Sequence, residues 1–183
     1  MRNFLFLCLI LSFGTVNANF SDGYDVINWS QSLDGGVIDL SGAPDSVNLI
    51  SNNLGTGAAA NTDFTTTALA DGMVSFDWVF MTADEGPDYD PFGYLVNDIF
   101  TQLTLDGSSG SQSGSTMFAV LAGDIFGFSA RTLDSQYGSG TTTLTNFSAP
   151  DVSVSAVPVP AAAWLFASAL LGFFGVKRLK YNS

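Results

Sequence analysis

Between residues 19 and 156 the apolar positions do not recur at helical spacing. Short runs rich in β-branched and aromatic residues are instead separated by Gly, Asp, Asn and Ser. This punctuation predicts strands near Tyr24–Trp29, Val37–Leu40, Val47–Ser51, Asp63–Leu69, Met73–Phe80, Phe92–Val96, Ile99–Leu105, Thr116–Leu121, Ile125–Arg131 and Thr141–Phe147. Starts about ten residues apart, with turn residues between them, point to an all-β fold: an antiparallel β-sandwich or jelly roll. The Met73–Phe80 run sets Val74, Phe76, Trp78 and Phe80 on one face and Ser75 and Asp77 on the other, as a strand with one buried face requires. Phe92–Val96 and Ile99–Leu103 flank Asn97-Asp98, a two-residue hairpin turn. The stretch Ala119–Phe128 follows the same plan, with its turn at Gly123-Asp124. The Gly-, Ser-, Asn- and Ala-rich segments Asn52–Thr62 and Asp106–Ser115 read as surface loops.

The two ends of the chain depart from this pattern. Met1-Arg2-Asn3, the apolar Phe4–Phe13 and the small-x-small Val16-Asn17-Ala18 form a signal peptide, residues 1–18, with cleavage expected after Ala18. At the other end Ala161–Val176 is uncharged and has one polar side chain, Ser168. A helix there would be about 24 Å long, a little short of the ~30 Å hydrocarbon core. Trp164 suits an interface, and Lys177, Arg178 and Lys180 suit the cytoplasmic side. Pro158 and Pro160 place the helix start near Ala161. The expected organisation is a signal peptide (1–18), an ectodomain (19–148), a spacer (149–156) and a C-terminal segment (157–183) with a transmembrane helix over about 161–176.

Val157-Pro158-Val159-Pro160, followed by the apolar run and the cations, resembles the PEP-CTERM sorting signal of Gram-negative bacteria. Val159 stands where that signal usually has Glu. The resemblance implies handling by the secretion machinery and by an exosortase-like membrane protease. It also implies a membrane-anchored intermediate, then a cell-surface or extracellular location, with a link to exopolysaccharide or biofilm. Phe76-Asp77-Trp78, Asp90-Pro91-Phe92-Gly93-Tyr94, Phe100-Thr101-Gln102-Leu103 and Ala122–Phe128 further resemble a recurrent ectodomain of short PEP-CTERM proteins. That likeness implies a β-rich exported domain and brings no activity with it.

Composition narrows the chemistry. All 17 acidic residues and a single cation, Arg131, lie between the two end segments, a net charge of −16 there. Such a surface repels a phosphate backbone, so nucleic acid is not an expected partner. The chain has no His, and its one Cys, Cys8, falls in the signal peptide. Lysine also is absent from 19–156. Ser–His and Cys nucleophiles, Schiff-base lysines and His-based zinc sites are thereby excluded, and only carboxylate chemistry is left. No catalytic residue stands out, and the protein is not expected to be an enzyme.

One segment concentrates candidate ligands. Asp84, Glu85, Asp88 and Asp90 place four carboxylates around Gly86-Pro87. Hard oxygen donors at this density suit calcium, with Asp71 or Asp77 as candidates to complete the set, without matching an EF-hand; a solvated acidic loop is the plainer alternative. No other cofactor is expected. The aromatics of the central strands read as core, whereas Tyr24, Trp29, Tyr89 and Tyr137 are the ones expected at the surface. These features describe an exported envelope or matrix protein with a structural or adhesive role linked to exopolysaccharide. The alternative is a carbohydrate-binding module or a weak carboxylate-based glycosidase.

Overall fold

The computed structural model describes residues 19–151. The expected signal peptide, sorting motif and membrane anchor lie outside these residues, and among the described residues no helix is long and apolar enough to cross a membrane. The described chain is a two-sheet antiparallel β-sandwich. One sheet, A, joins β1 (Ser30–Ser32), β4 (Ala60–Thr67), β9 (Ile125–Thr132), β6 (Phe92–Val96) and β7 (Ile99–Gln102), side by side in that order. The other, B, joins β2 (Val37–Asp39), β3 (Ser46–Ile50), β10 (Gly140–Ser148), β5 (Gly72–Thr82) and β8 (Ser111–Val120).

Alternation along the central strands builds the core between the sheets. Val74, Phe76, Trp78 and Phe80 of β5 are buried, as are Leu144 of β10 and Val47 and Leu49 of β3. From sheet A they meet Phe64, Phe92, Phe126, Phe128 and Ala130. Tyr94 and Phe118 stack between the layers with ring centroids 4.2 Å apart. The expected one-faced strand at Met73–Phe80 is thus present, extended at both ends.

The first expected strand is corrected. Tyr24–Trp29 forms two 3-10 turns, Asp22–Tyr24 and Val26–Asn28, and the strand begins only at Ser30. Local chemistry decides this. Asp22 adopts a positive φ of 51°, and the Asp25 carboxylate accepts from the Ile27 backbone N–H, a turn that competes with extended pairing. Released from a ladder, the segment folds inward as a plug. Phe20 stacks on Phe147 at 4.6 Å and Trp29 on Phe64 at 4.4 Å. The Trp29 indole N–H donates to the Tyr24 carbonyl at 3.0 Å. The Tyr24 hydroxyl donates to the Pro150 carbonyl at 2.7 Å and accepts from the Leu69 N–H at 3.0 Å. Tyr24 and Trp29, expected at the surface, are therefore core residues, 0% and 6% exposed.

Two turns that look alike in sequence do different work. Asn97 and Asp98, with φ of 49° and 65°, close the β6–β7 hairpin with Val96 opposite Ile99, as expected. Gly123-Asp124 closes no hairpin: β8 lies in sheet B and β9 in sheet A. The connection crosses between sheets, held by the Gly123 N–H to the Ala68 carbonyl and by the Ala68 N–H to the Asp124 carbonyl, both at 2.8 Å.

The expected loop over Asp106–Ser115 is also shorter than its composition suggests. Ser111–Ser115 is strand, paired with Met81–Asp77 of β5. Gly114 sits opposite Trp78, where a Cβ would come within 3.1 Å of the indole, so this glycine is there for close packing. The Asn52–Thr62 loop likewise ends early, at Ala60, where β4 begins.

Candidate functional site

The outward face of sheet A carries the sole cation of the described residues among polar and aromatic groups. Register defines it: Asp63 lies opposite Ser129 and Asn61 opposite Arg131 on β4 and β9, while Gly93 lies opposite Ser129 and Gln102 on β6 and β7. The ladder continues past β6, because the Arg131 N–H donates to the Pro91 carbonyl at 2.9 Å and the Leu133 N–H to the Tyr89 carbonyl at 2.8 Å. Side chains alternate, so Tyr89, Pro91 and Gly93 share the outward face with Leu133, Arg131 and Ser129. Phe92 and Asp90, the intervening residues, point inward and are buried.

Arg131 organises this face. It is the sole cation among the described residues. Despite the 17 acids of the chain, no ion pair forms on it among the described residues; its guanidinium carbon lies 3.7 Å above the centre of the Phe100 ring. Nε donates to Ser129 Oγ at 3.2 Å, and Ser129 Oγ donates in turn to Asp63 Oδ1. Beneath Phe100 sits Gly93, where a Cβ would fall 2.8 Å from the ring edge. Glycine floor, ring and guanidinium thus form three layers, and the side chain is held flat on the sheet. Burial pulls the Arg131 pKa down and the charge of Asp63 pushes it back. A guanidinium stays protonated throughout the physiological range. Its terminal nitrogens carry no protein hydrogen bond among the described residues and remain as a fixed donor fork.

The acidic loop lies past the same end of the sheets, and the structure divides its four carboxylates. Asp90 is 1% exposed; its two oxygens accept from Ser51 Oγ at 2.8 Å and Thr82 Oγ1 at 2.6 Å. Burial raises its pKa above the ordinary carboxylate value, those hydroxyls and the Gly140 N–H only partly offsetting it. Gly140 must be glycine, since a Cβ would press to 2.8 Å from that of Asp90. Asp88 accepts from the Gly107 N–H, and Glu85 is exposed. Asp84 is half-buried, and its Oδ2 has no hydrogen-bond partner. Among the described residues no three acidic side chains are grouped as a cation ligand set. Asp90 is spent on bracing β3, β5 and β6 together. Asp71 instead accepts from the Ala122 N–H, and Asp77 from Ser115 and Asn146, both away from this loop.

Of the four aromatics expected at the surface, Tyr89 and Tyr137 are there, 40% and 76% exposed. Tyr137 holds a φ of 62°, a costly conformation for a bulky residue. The residues around Arg131 were not singled out by sequence beyond the cation itself. The signal available was the outward series Asn61, Asp63, Thr65 of β4; what hid the site was the pairing of β9 with β4 and β6, both distant from it in sequence.

No family model matches the chain, and no curated protein matches it. Solved structures similar in layout include a family 35 carbohydrate binding module from Clostridium thermocellum, 10% identical, with a TM-score of 0.38, covering 65% of this chain and 92% of that one. The family 35 module of Paenibacillus barcinonensis is 14% identical, with a TM-score of 0.36, covering 68% of this chain and 95% of that one. A third is the Podospora anserina GH26-CBM35 β-(1,4)-mannanase, 13% identical, with a TM-score of 0.33, covering 69% of this chain and 29% of that one. The likeness is one of general β-sandwich layout.

Proposed function

We propose that this domain is an exported, non-catalytic module that binds a neutral polysaccharide across the outward face of sheet A. The observation that supports it is Arg131, which lies over Phe100, forms no ion pair among the described residues and leaves its terminal N–H groups without a protein acceptor there. A planar fork of donors beside carboxylate and amide acceptors, here Asp63 and Asn61, matches adjacent sugar hydroxyls, which both give and accept hydrogen bonds. Tyr89 offers a ring for the apolar side of a pyranose at the loop end of the same face. Phe100 is a positioning residue that keeps the guanidinium from reaching toward the surrounding acids. The net charge of −16 between the end segments disfavours polyanionic chains and so favours an uncharged glycan. The layout shared with carbohydrate binding modules adds no residue to this reading.

A polysaccharide panel followed by calorimetry tests it. Binding is expected to a neutral glycan, more weakly or not at all to uronate polymers. Arg131→Ala should weaken it by about tenfold or more, a loss of about 1.4 kcal/mol or greater, with the thermal midpoint little changed. Retention of no neutral glycan, or wild-type affinity in the variant, would sink the proposal.

Delivery belongs to the same proposal. Residues 1–18 direct export, and Val157-Pro158-Val159-Pro160 with the following apolar and basic residues directs sorting and processing by an exosortase-type protease. Mass spectrometry of the exported protein should find a chain starting at Asn19 and lacking the basic tail. A released chain still ending at Ser183 contradicts the processing step.

A further inference from the structure

The four edge strands are protected very unequally. β1 and β2 have three residues each and β7 has four. Edges this short offer little to an incoming strand, and Asp39 on β2 adds a charge. β8 is different. It runs for ten residues, Ser111–Val120, and is paired on one side only, with β5, residue for residue from Met81 to Gly72 without a bulge. Its sequence, Ser-Gln-Ser-Gly-Ser-Thr-Met-Phe-Ala-Val, has no charge and no proline. Shortness, charge, proline and a bulge, the devices a strand carries in itself against edge pairing, are all missing from it. In an antiparallel pair alternate residues turn both backbone groups away from the partner, so half of this strand presents donors and acceptors outward.

We propose that β8 is a self-association edge, pairing antiparallel with β8 of a second copy about a two-fold axis to give one continuous ten-stranded sheet. Charge decides the occupant. Two domains of this net charge repel wherever acidic surfaces meet, yet β8 brings no carboxylate to the seam. The nearest on β5 is Asp77, opposite Ser115, whose oxygens are held by Ser115 Oγ and Asn146 Nδ2. Pairing centred there sets the two Asp77 side chains three strand spacings apart, about 14 Å, beyond the Debye length of ~8 Å at physiological ionic strength. An antiparallel edge is also its own complement, as a two-fold interface demands. Ser111, Ser113, Ser115, Met117 and Ala119 are exposed on the outward face and small enough, Met117 apart, to leave the approach open. One strand pair is a small interface, so the association is weak in dilute solution and effective where copies are crowded on a surface or along a polymer.

Sedimentation velocity on the full chain, over a concentration series reaching millimolar, tests this with Ser113→Glu/Met117→Glu as the partner variant. Both substitutions are on exposed positions and put like charges across the seam. Concentration-dependent dimers are expected for wild type, with dissociation at least about tenfold easier in the variant and an unchanged thermal midpoint. A monomer throughout overturns the proposal. So does association that survives the double substitution, which would place the contact elsewhere. Dimers that appear only after the chain is cut back to Asp151 also overturn it, since the chain's own C-terminal segment would then be what covers the edge. None of these outcomes depends on whether Arg131 binds glycan.

Discussion

Trp29→Ala is expected to cost about 3–5 kcal/mol of folding stability, the range for removing a fully packed large aromatic. The indole stacks on Phe64 at 4.4 Å and on Phe128 at 5.7 Å, and meets Phe20, Phe126 and Phe147 edge-on at 5.6, 5.8 and 5.5 Å. It comes from neither sheet, so no ladder holds the vacated position and the plug loses its grip on both layers. A domain of this size has about 5–15 kcal/mol of net stability, and the loss is a large part of it. Urea titration should show a lower midpoint with little change in slope. Trp29→Phe keeps the stacking but not the N–H to the Tyr24 carbonyl, and should lose about 1–2 kcal/mol. Glycan affinity measured well below the melting range should not move in either variant, because Trp29 is core. A selective loss of binding in a stably folded Trp29→Ala protein would return the indole to the ligand site and refute its structural assignment.

The second large effect is on pH. Burial raises the pKa of Asp90 in the folded protein above its ordinary value of 3.8. Between those two values the folded state binds the extra proton. The contribution of Asp90 to stability is therefore complete below about pH 3.8 and is lost as pH rises through the raised value. Within that window the slope approaches about 1.4 kcal/mol per pH unit for one proton. Asp39, Asp77 and Asp124 have the opposite sign. Hydrogen bonds from Ser41, from Ser115 and Asn146, and from Asn97 and Leu121 lower their pKa values, and what they contribute is lost below pH 3.8. Stability should climb as pH falls through the raised Asp90 value toward about pH 4, and then fall. Relief of the general acidic repulsion adds to the climb, so Asp90→Asn is the control: an uncharged isostere should flatten the climb and raise the midpoint at pH 7. An identical pH profile in that variant would show that Asp90 is not the source of the slope.

Where a strand alternates over its own length, as in Val74–Phe80, the sequence carries enough information to place it and its face. Asn97-Asp98 was legible for a related reason, since a two-residue turn between apolar runs depends only on its neighbours. Tyr24–Trp29 was not, because β-prone side chains were overruled by Asp22 and Asp25 and then by the apolar end of the sandwich that needed filling. Ser111–Ser115 looked like a loop because its residues bring little β propensity; the ten-pair ladder with β5 imposes the strand. The same holds for function. The acidic loop announced itself by composition, yet Asp90 turned out to brace the fold. Arg131 announced only its solitude, and the partners that give it meaning come from β4, β6 and β7.

The latch between Tyr24 and Pro150 has a mechanical side. β10 is the middle strand of sheet B, with β3 on one flank and β5 on the other, and the chain leaves it past Pro150. A pull on the chain beyond Pro150 loads the bond from the Tyr24 hydroxyl to the Pro150 carbonyl. It then runs along β10, so that both flanking ladders are sheared at once and cannot be unzipped bond by bond. A fold threaded in this way resists tension at that end far better than its equilibrium stability alone would suggest.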